Sequence, residues 1–167
     1  MMLPLSFGSN NLAYIRVDND LMAAYAFYAG ILVLKLILLG PLTCFLRLKK
    51  KVMISPEDSC WGGVAKGAGD PTIERVRRVY QNDLENILPF LAIAPLYIIC
   101  FSGKSDKDCV LWHLRLFFAV RIAHSVVYLL ALRQPLRGLL WGLGWLITAS
   151  ITTQVIFYAA TEPIAKP

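Results

Sequence analysis

The chain has 167 residues, 57% of them hydrophobic, and a formal net charge of +6 at pH 7; its mean hydropathy is +0.56. A single water-soluble domain of this size does not carry so much apolar residue content, and the composition is that of a small all-α integral membrane protein forming one unit over 1–167. The apolar runs are continuous over about 20 residues and do not alternate over about ten, which excludes a β-barrel. The basic residues flank those runs without a nucleic-acid motif, so nucleic acid is excluded as a partner.

Four transmembrane helices are predicted, at about 20–48, 72–101, 109–132 and 135–160. The first apolar stretch is longer than the core of a secretory signal and no small-residue cleavage site follows it, so it is read as a retained span. The connection after it carries Arg47, Lys49, Lys50, Lys51 and Lys66, joined by Arg75, Arg77 and Arg78 at the mouth of the second span. The positive-inside tendency places this connection in the cytosol. Arg133 and Arg137, between spans three and four, fall on the same side. The Asp70-Pro71-Thr72 punctuation opens the second helix. The four cysteines include no CxxC pair and the two histidines no metal spacing, so no metal is expected; His113 beside Trp112 reads as an interfacial anchor.

Span two holds the densest chemistry. At 1.5 Å per residue it runs about 45 Å, longer than the hydrocarbon core, so its polar first half reaches the cytosolic interface. Arg75, Arg78, Asn82 and Glu85 stand at i, i+3, i+7 and i+10, on one helical face. That set suits a small zwitterion with several carboxylates, and suits equally a self-neutralising ion-pair face between helices. Span three repeats the pattern with Arg121, His124, Ser125 and Tyr128. Tyr128 and His124, nearer the cytosolic end, read as ligand contacts. Arg121 reads as polar glue, paired with Glu85 or another acid on a neighbouring helix. Lys35, alone in span one, either pairs with a carboxylate or snorkels.

Several strings carry a family resemblance: Arg47-Leu48-Lys49-Lys50-Lys51, Pro56-Glu57-Asp58, Glu74-Arg75-Val76-Arg77-Arg78, Asn82-Asp83-Leu84-Glu85-Asn86-Ile87-Leu88-Pro89-Phe90, Arg121-Ile122-Ala123-His124-Ser125 and Gln134-Pro135-Leu136-Arg137. With these, the chain after about Asp20 resembles the membrane-associated proteins in eicosanoid and glutathione metabolism (MAPEG), nearest to the microsomal glutathione transferase branch, with the prostaglandin E synthase branch close by. The resemblance implies a four-helix protomer in a homotrimer, with glutathione between subunits at the cytosolic surface. It implies that Arg78, Gln81, Asn82 and Glu85 bind glutathione from span two, His124 and Tyr128 from span three, Arg137 beside the thiol, and Arg47 from the adjacent subunit. Tyr80 stands where relatives carry histidine, Gln81 where the prostaglandin E synthase branch carries arginine, and Ser59 where a cysteine follows Pro-Glu-Asp, with Cys60 one place on.

The expected chemistry follows from the thiol. A thiol of ordinary pKa about 8.5 is mostly protonated at neutral pH, and a fixed cation lowering it by two units supplies roughly 2.7 kcal/mol of differential stabilisation. Arg137 can do so without titrating, and Tyr128 can add a hydrogen bond; these two are the expected catalytic residues. The second substrate is a hydrophobic electrophile or lipid hydroperoxide arriving through membrane lipid. A glutathione-dependent eicosanoid isomerase and a non-enzymatic lipid-binding protein are the alternatives. The endoplasmic reticulum is the expected membrane, with the mitochondrial outer membrane as the alternative.

Overall fold

The computed structural model describes residues 2–5, 13–62, 64–65, 69–101 and 107–161. Four long helices dominate: α1 (Asn19–Lys50), α2 (Pro71–Phe101), α3 (Lys107–Leu129) and α4 (Leu136–Thr161). All four are long and apolar enough to cross a membrane. The all-α four-helix expectation holds, with short strands beside the helices. Strands β1 (Met2–Leu5) and β2 (Ala13–Arg16) pair antiparallel, while β3 (Val52–Met53) and β4 (Val64–Ala65) pair in parallel around a 3₁₀ turn at Pro56–Trp61. The side chain of Cys60 lies outside the described part of the chain.

Local chemistry sets the helix ends. Asp18 caps α1, its Oδ1 accepting from the Asp20 and Leu21 amides at 3.1 and 3.2 Å. Its ion pair with Lys107 at the start of α3 holds this carboxyl below the usual range. Asp70 does the same for α2, accepting from the amides of Thr72 at 2.9 Å and Ile73 at 3.4 Å. Lys50 also donates to Asp70 at 2.6 Å, tying the end of α1 to the start of α2, and this contact is the main reason the Asp70 carboxyl is lowered to about 2. Pro41, Pro89 and Pro95 lie inside helices, which a packed membrane bundle tolerates because neighbouring groups re-satisfy the freed carbonyls.

Span three was expected to run to 132, but α3 ends at Leu129. Ala131 adopts φ +58°; its amide donates to the Tyr128 carbonyl at 3.1 Å and the Leu132 amide to the Val127 carbonyl at 3.1 Å. This paired closure is a Schellman cap with alanine at the left-handed position that glycine ordinarily fills, so the sequence carries no glycine to mark it. Elsewhere the expected boundaries agree with the helices to within about two residues.

The core runs between the helices. Ile87, Phe90, Ala94 and Ile98 of α2 and Val110, Leu114 and Phe117 of α3 are fully buried with Leu32 and Ile151. Phe90 and Phe117 stack at 3.7 Å with 6° between ring planes. The outer surface is apolar too: Phe27, Leu34, Ile37, Phe45, Trp145, Ile156 and Phe157 are all exposed. Such a surface is stable against lipid or another copy of the chain, where no water demands polar cover.

Candidate functional site

The buried stripe of α2 is Ile73, Val76, Val79, Asp83, Ile87, Phe90 and Ala94. Asp83 therefore occupies an apolar-stripe position, four residues from both Val79 and Ile87, and is aimed into the bundle. The stripe of α3 likewise runs through Leu114, Phe117, Arg121 and Ser125. The two polar intrusions meet. Asp83 Oδ1 accepts from Arg121 Nη2 at 2.5 Å, and Asp83 Oδ2 accepts from Ser125 at 3.0 Å and pairs with Lys35 Nζ at 2.9 Å. Lys35 also donates to Ser125 Oγ at 2.8 Å and to the Arg121 carbonyl at 3.1 Å. Asp83 and Arg121 are both 0% exposed, so each charge depends on the others for compensation.

This cluster resolves two expectations. Arg121 pairs with an acid on a neighbouring helix, and that acid is Asp83 in place of Glu85. Lys35 pairs with a carboxylate and does not snorkel. Asp83, not singled out from the sequence, is the centre of the network; its signal was its place in the apolar stripe of α2 together with two cations inside other spans. Gly144 on α4 packs beside this arginine, where an added Cβ would lie 3.4 Å from Arg121 Cδ, in ordinary van der Waals contact. Arg121 Nε and Nη1 have no hydrogen-bond partner among the described residues.

The expected ligand residues fall into separate groups. His124 and Tyr128 lie together, ring centroids 5.7 Å apart, and the Arg137 guanidinium sits over the Tyr128 ring at 4.9 Å. The cap that ends α3 at Leu129 brings the first turn of α4 back to Tyr128 and so creates this cation–π contact. His124 Nδ1 and Arg137 Nε are buried without a hydrogen-bond partner among the described residues. Asn82 faces α3, where its Oδ1 accepts from Arg121 Nη2 at 2.9 Å. Gln81 and Glu85 are exposed on the outer side of α2, with Gln81 donating to Glu85 at 3.2 Å.

Arg78 and Gln81 line an open cavity of about 410 Å³ with Glu74, Arg77, Tyr80 and Leu84. Glu85 lines another of about 390 Å³ with Asn86, Pro89, Trp145, Thr148 and Thr152. Arg47 lies at a third, small one beside Val52, Met53, Glu74 and Arg77. The helical face of Arg75, Arg78, Asn82 and Glu85 is thus split, Asn82 turning inward to Arg121 while Arg78 and Glu85 remain exposed. His113, expected as an interfacial anchor, is half-buried; its Nδ1 lies 2.8 Å from the Cys109 carbonyl and its Nε2 3.4 Å from Ser150 Oγ. Among the described residues no group of three histidine, cysteine or acidic side chains is arranged to hold a metal ion.

Comparison with known proteins gives the family. Microsomal glutathione S-transferase 1 of Rattus norvegicus is 40% identical over 145 residues, covering 84% of this chain and 92% of the relative. The Sus scrofa protein of the same name is 41% identical with the same coverage. Prostaglandin E synthase of Homo sapiens is 35% identical over 146 residues, covering 86% of this chain and 93% of the relative. The MAPEG family profile matches residues 25–157, a stretch holding all eight expected ligand residues, and by that match and these identities the chain is an integral membrane protein of the MAPEG family.

Proposed function

We propose that the protein is a membrane-bound glutathione transferase that conjugates glutathione to hydrophobic electrophiles. The observation that carries this reading is the 40% identity to a microsomal glutathione S-transferase across 84% of the chain. The juxtaposition of Arg137 and Tyr128 supports its chemistry. A permanent cation fixed over a tyrosine at the α3–α4 end can hold the glutathione sulfur as thiolate. The thiolate then forms a C–S bond to the electrophilic carbon; the leaving group departs with its bonding pair, and the thiol proton goes to solvent. Arg137 and Tyr128 are the proposed catalytic pair, with Arg47, Arg78, Gln81, Asn82, Glu85 and His124 completing the glutathione site.

Arg47, Arg78 and Glu85 line three separate cavities of the single chain. A site completed between copies in a homotrimer accounts for that dispersion, since Arg47 then reaches the site from a neighbour. The basic α1–α2 connection supports a cytosolic site in the endoplasmic reticulum membrane. Lipid hydroperoxides are proposed as further substrates: two glutathiones supply the two electrons that reduce the peroxide to alcohol and water, leaving glutathione disulfide. The prostaglandin E synthase relatives favour glutathione-dependent isomerisation of an oxygenated lipid as a second reading.

The test is glutathione binding by equilibrium dialysis on the purified protein in detergent. Arg78→Ala and Glu85→Gln are expected to weaken binding while the particle keeps its size. Unchanged affinity in both variants removes that face of α2 from the site.

A further inference from the structure

The amide of Asn82 has an accepting end and a donating end, and its neighbour decides which faces where. A guanidinium has donors only. The Asn82 atom 2.9 Å from Arg121 Nη2 is therefore the oxygen, and the amide nitrogen, with two N–H donors, is turned away from α3. Among the described residues no side-chain partner takes those donors, and Asn82 is half-buried at the margin of the bundle. Arg121 is itself immobilised: it is fully buried, its Nη2 also donates to Asp83 at 2.5 Å, and the same nitrogen lies 3.4 Å from the Asn82 carbonyl.

We infer that Arg121 is a positioning residue whose Nη2 fixes the Asn82 amide so that it offers its two donors, and no acceptor, to a carboxylate or amide carbonyl of glutathione. This rests on the glutathione reading proposed above. Asp83 and Lys35 serve the same end at one remove. Asp83 holds the guanidinium in place, and Lys35 and Ser125 occupy the other carboxylate oxygen, so the carboxylate cannot swing away from Arg121. A ligand whose matching group is a donor, such as an ammonium, meets the wrong end of the amide and is not held at this position.

The test measures glutathione affinity by equilibrium dialysis, and KM and kcat with an aryl halide, in five proteins: wild type, Asn82→Asp, Asn82→Ala, Arg121→Lys, and Arg121→Lys in the Asn82→Ala background. Asn82→Asp keeps the acceptor for Arg121 and removes the donors, so KM for glutathione rises about tenfold or more while kcat at saturation stays within about twofold. Arg121→Lys removes Nη2, the one nitrogen that serves Asn82 and Asp83 together, and its shorter ammonium cannot hold both in place, which raises KM several-fold. In the Asn82→Ala background the same change leaves KM unmoved, because the effect runs through the amide.

A purely structural role for Arg121 gives the same fold-change in both backgrounds, and that result overturns the inference. Should Arg121→Lys not assemble, Asn82→Asp decides alone, and unaltered glutathione affinity there overturns the inference. A wild-type protein that binds no glutathione overturns the functional reading and this inference with it. Wild-type binding with an unaffected Asn82→Asp protein overturns only the inference.

Discussion

Replacing Asp83 by asparagine keeps the shape of the side chain and removes its charge. In the folded protein that charge accepts from Arg121 at 2.5 Å and pairs with Lys35 at 2.9 Å, with no exposure of either Asp83 or Arg121. The substitution leaves a buried guanidinium and an ammonium facing each other across a neutral amide. Removing one partner of such a network costs about 3–5 kcal/mol, because the remaining charge is neither solvated nor compensated. For a chain of this length that corresponds to a fall in Tm on the order of 10 °C. The assay is thermal unfolding of the detergent-solubilised protein by tryptophan fluorescence, with size-exclusion recovery after heating. Replacing the whole network by Lys35→Met, Asp83→Leu and Arg121→Met is expected to restore most of the lost stability, since no buried charge is then left over. An Asp83→Asn protein within about 2 °C of wild type would refute the claim that these charges depend on one another.

Three further outcomes are expected. Arg137→Leu raises the pKa of bound glutathione, read from thiolate absorbance near 240 nm, and depresses turnover at pH 7 much more than at pH 9; Arg137→Lys recovers part of the loss, and an unshifted thiol shifts the catalytic assignment to Tyr128. The Asp70 carboxyl, lowered to about 2 mainly by Lys50, contributes stability that is present above its unfolded pKa near 4 and is lost as pH falls through about 2. Its ¹³C carboxyl titration is accordingly centred near pH 2 and moves upward in Lys50→Met, whereas a wild-type midpoint near 4 contradicts the clasp between α1 and α2. Native mass spectrometry in mild detergent is expected to give three copies per particle, and monomers alone contradict a site shared between subunits.

The fold was largely legible because membrane spans follow from length and apolarity, which local composition determines directly. The end of α3 was not, since a Schellman cap closed by Ala131 gives no glycine signal and the apolar run continues to Leu132. The polar residues of spans two and three were legible as chemistry but not as partners. Arg78, Asn82 and Glu85 share a face by spacing, yet the direction of that face relative to α3 depends on how the helices are rotated in the bundle. Asp83 sits between Asn82 and Leu84 and reads as part of a polar string. Only its register with Val79, Ile87 and Phe90 marks it as buried. Placing Lys35 and Arg121 inside spans and asking which acid shares a buried stripe would have found it.

The central claim is tested most directly by conjugation of glutathione to a generic aryl halide by the purified protein in detergent or reconstituted in vesicles. The account predicts a thioether product whose formation saturates with glutathione, is lost on heat inactivation and falls sharply in Arg137→Leu. Glutathione binding without any conjugate, accompanied by glutathione-dependent isomerisation of a lipid endoperoxide, would contradict it in favour of the isomerase reading. Neither binding nor product would contradict the account altogether.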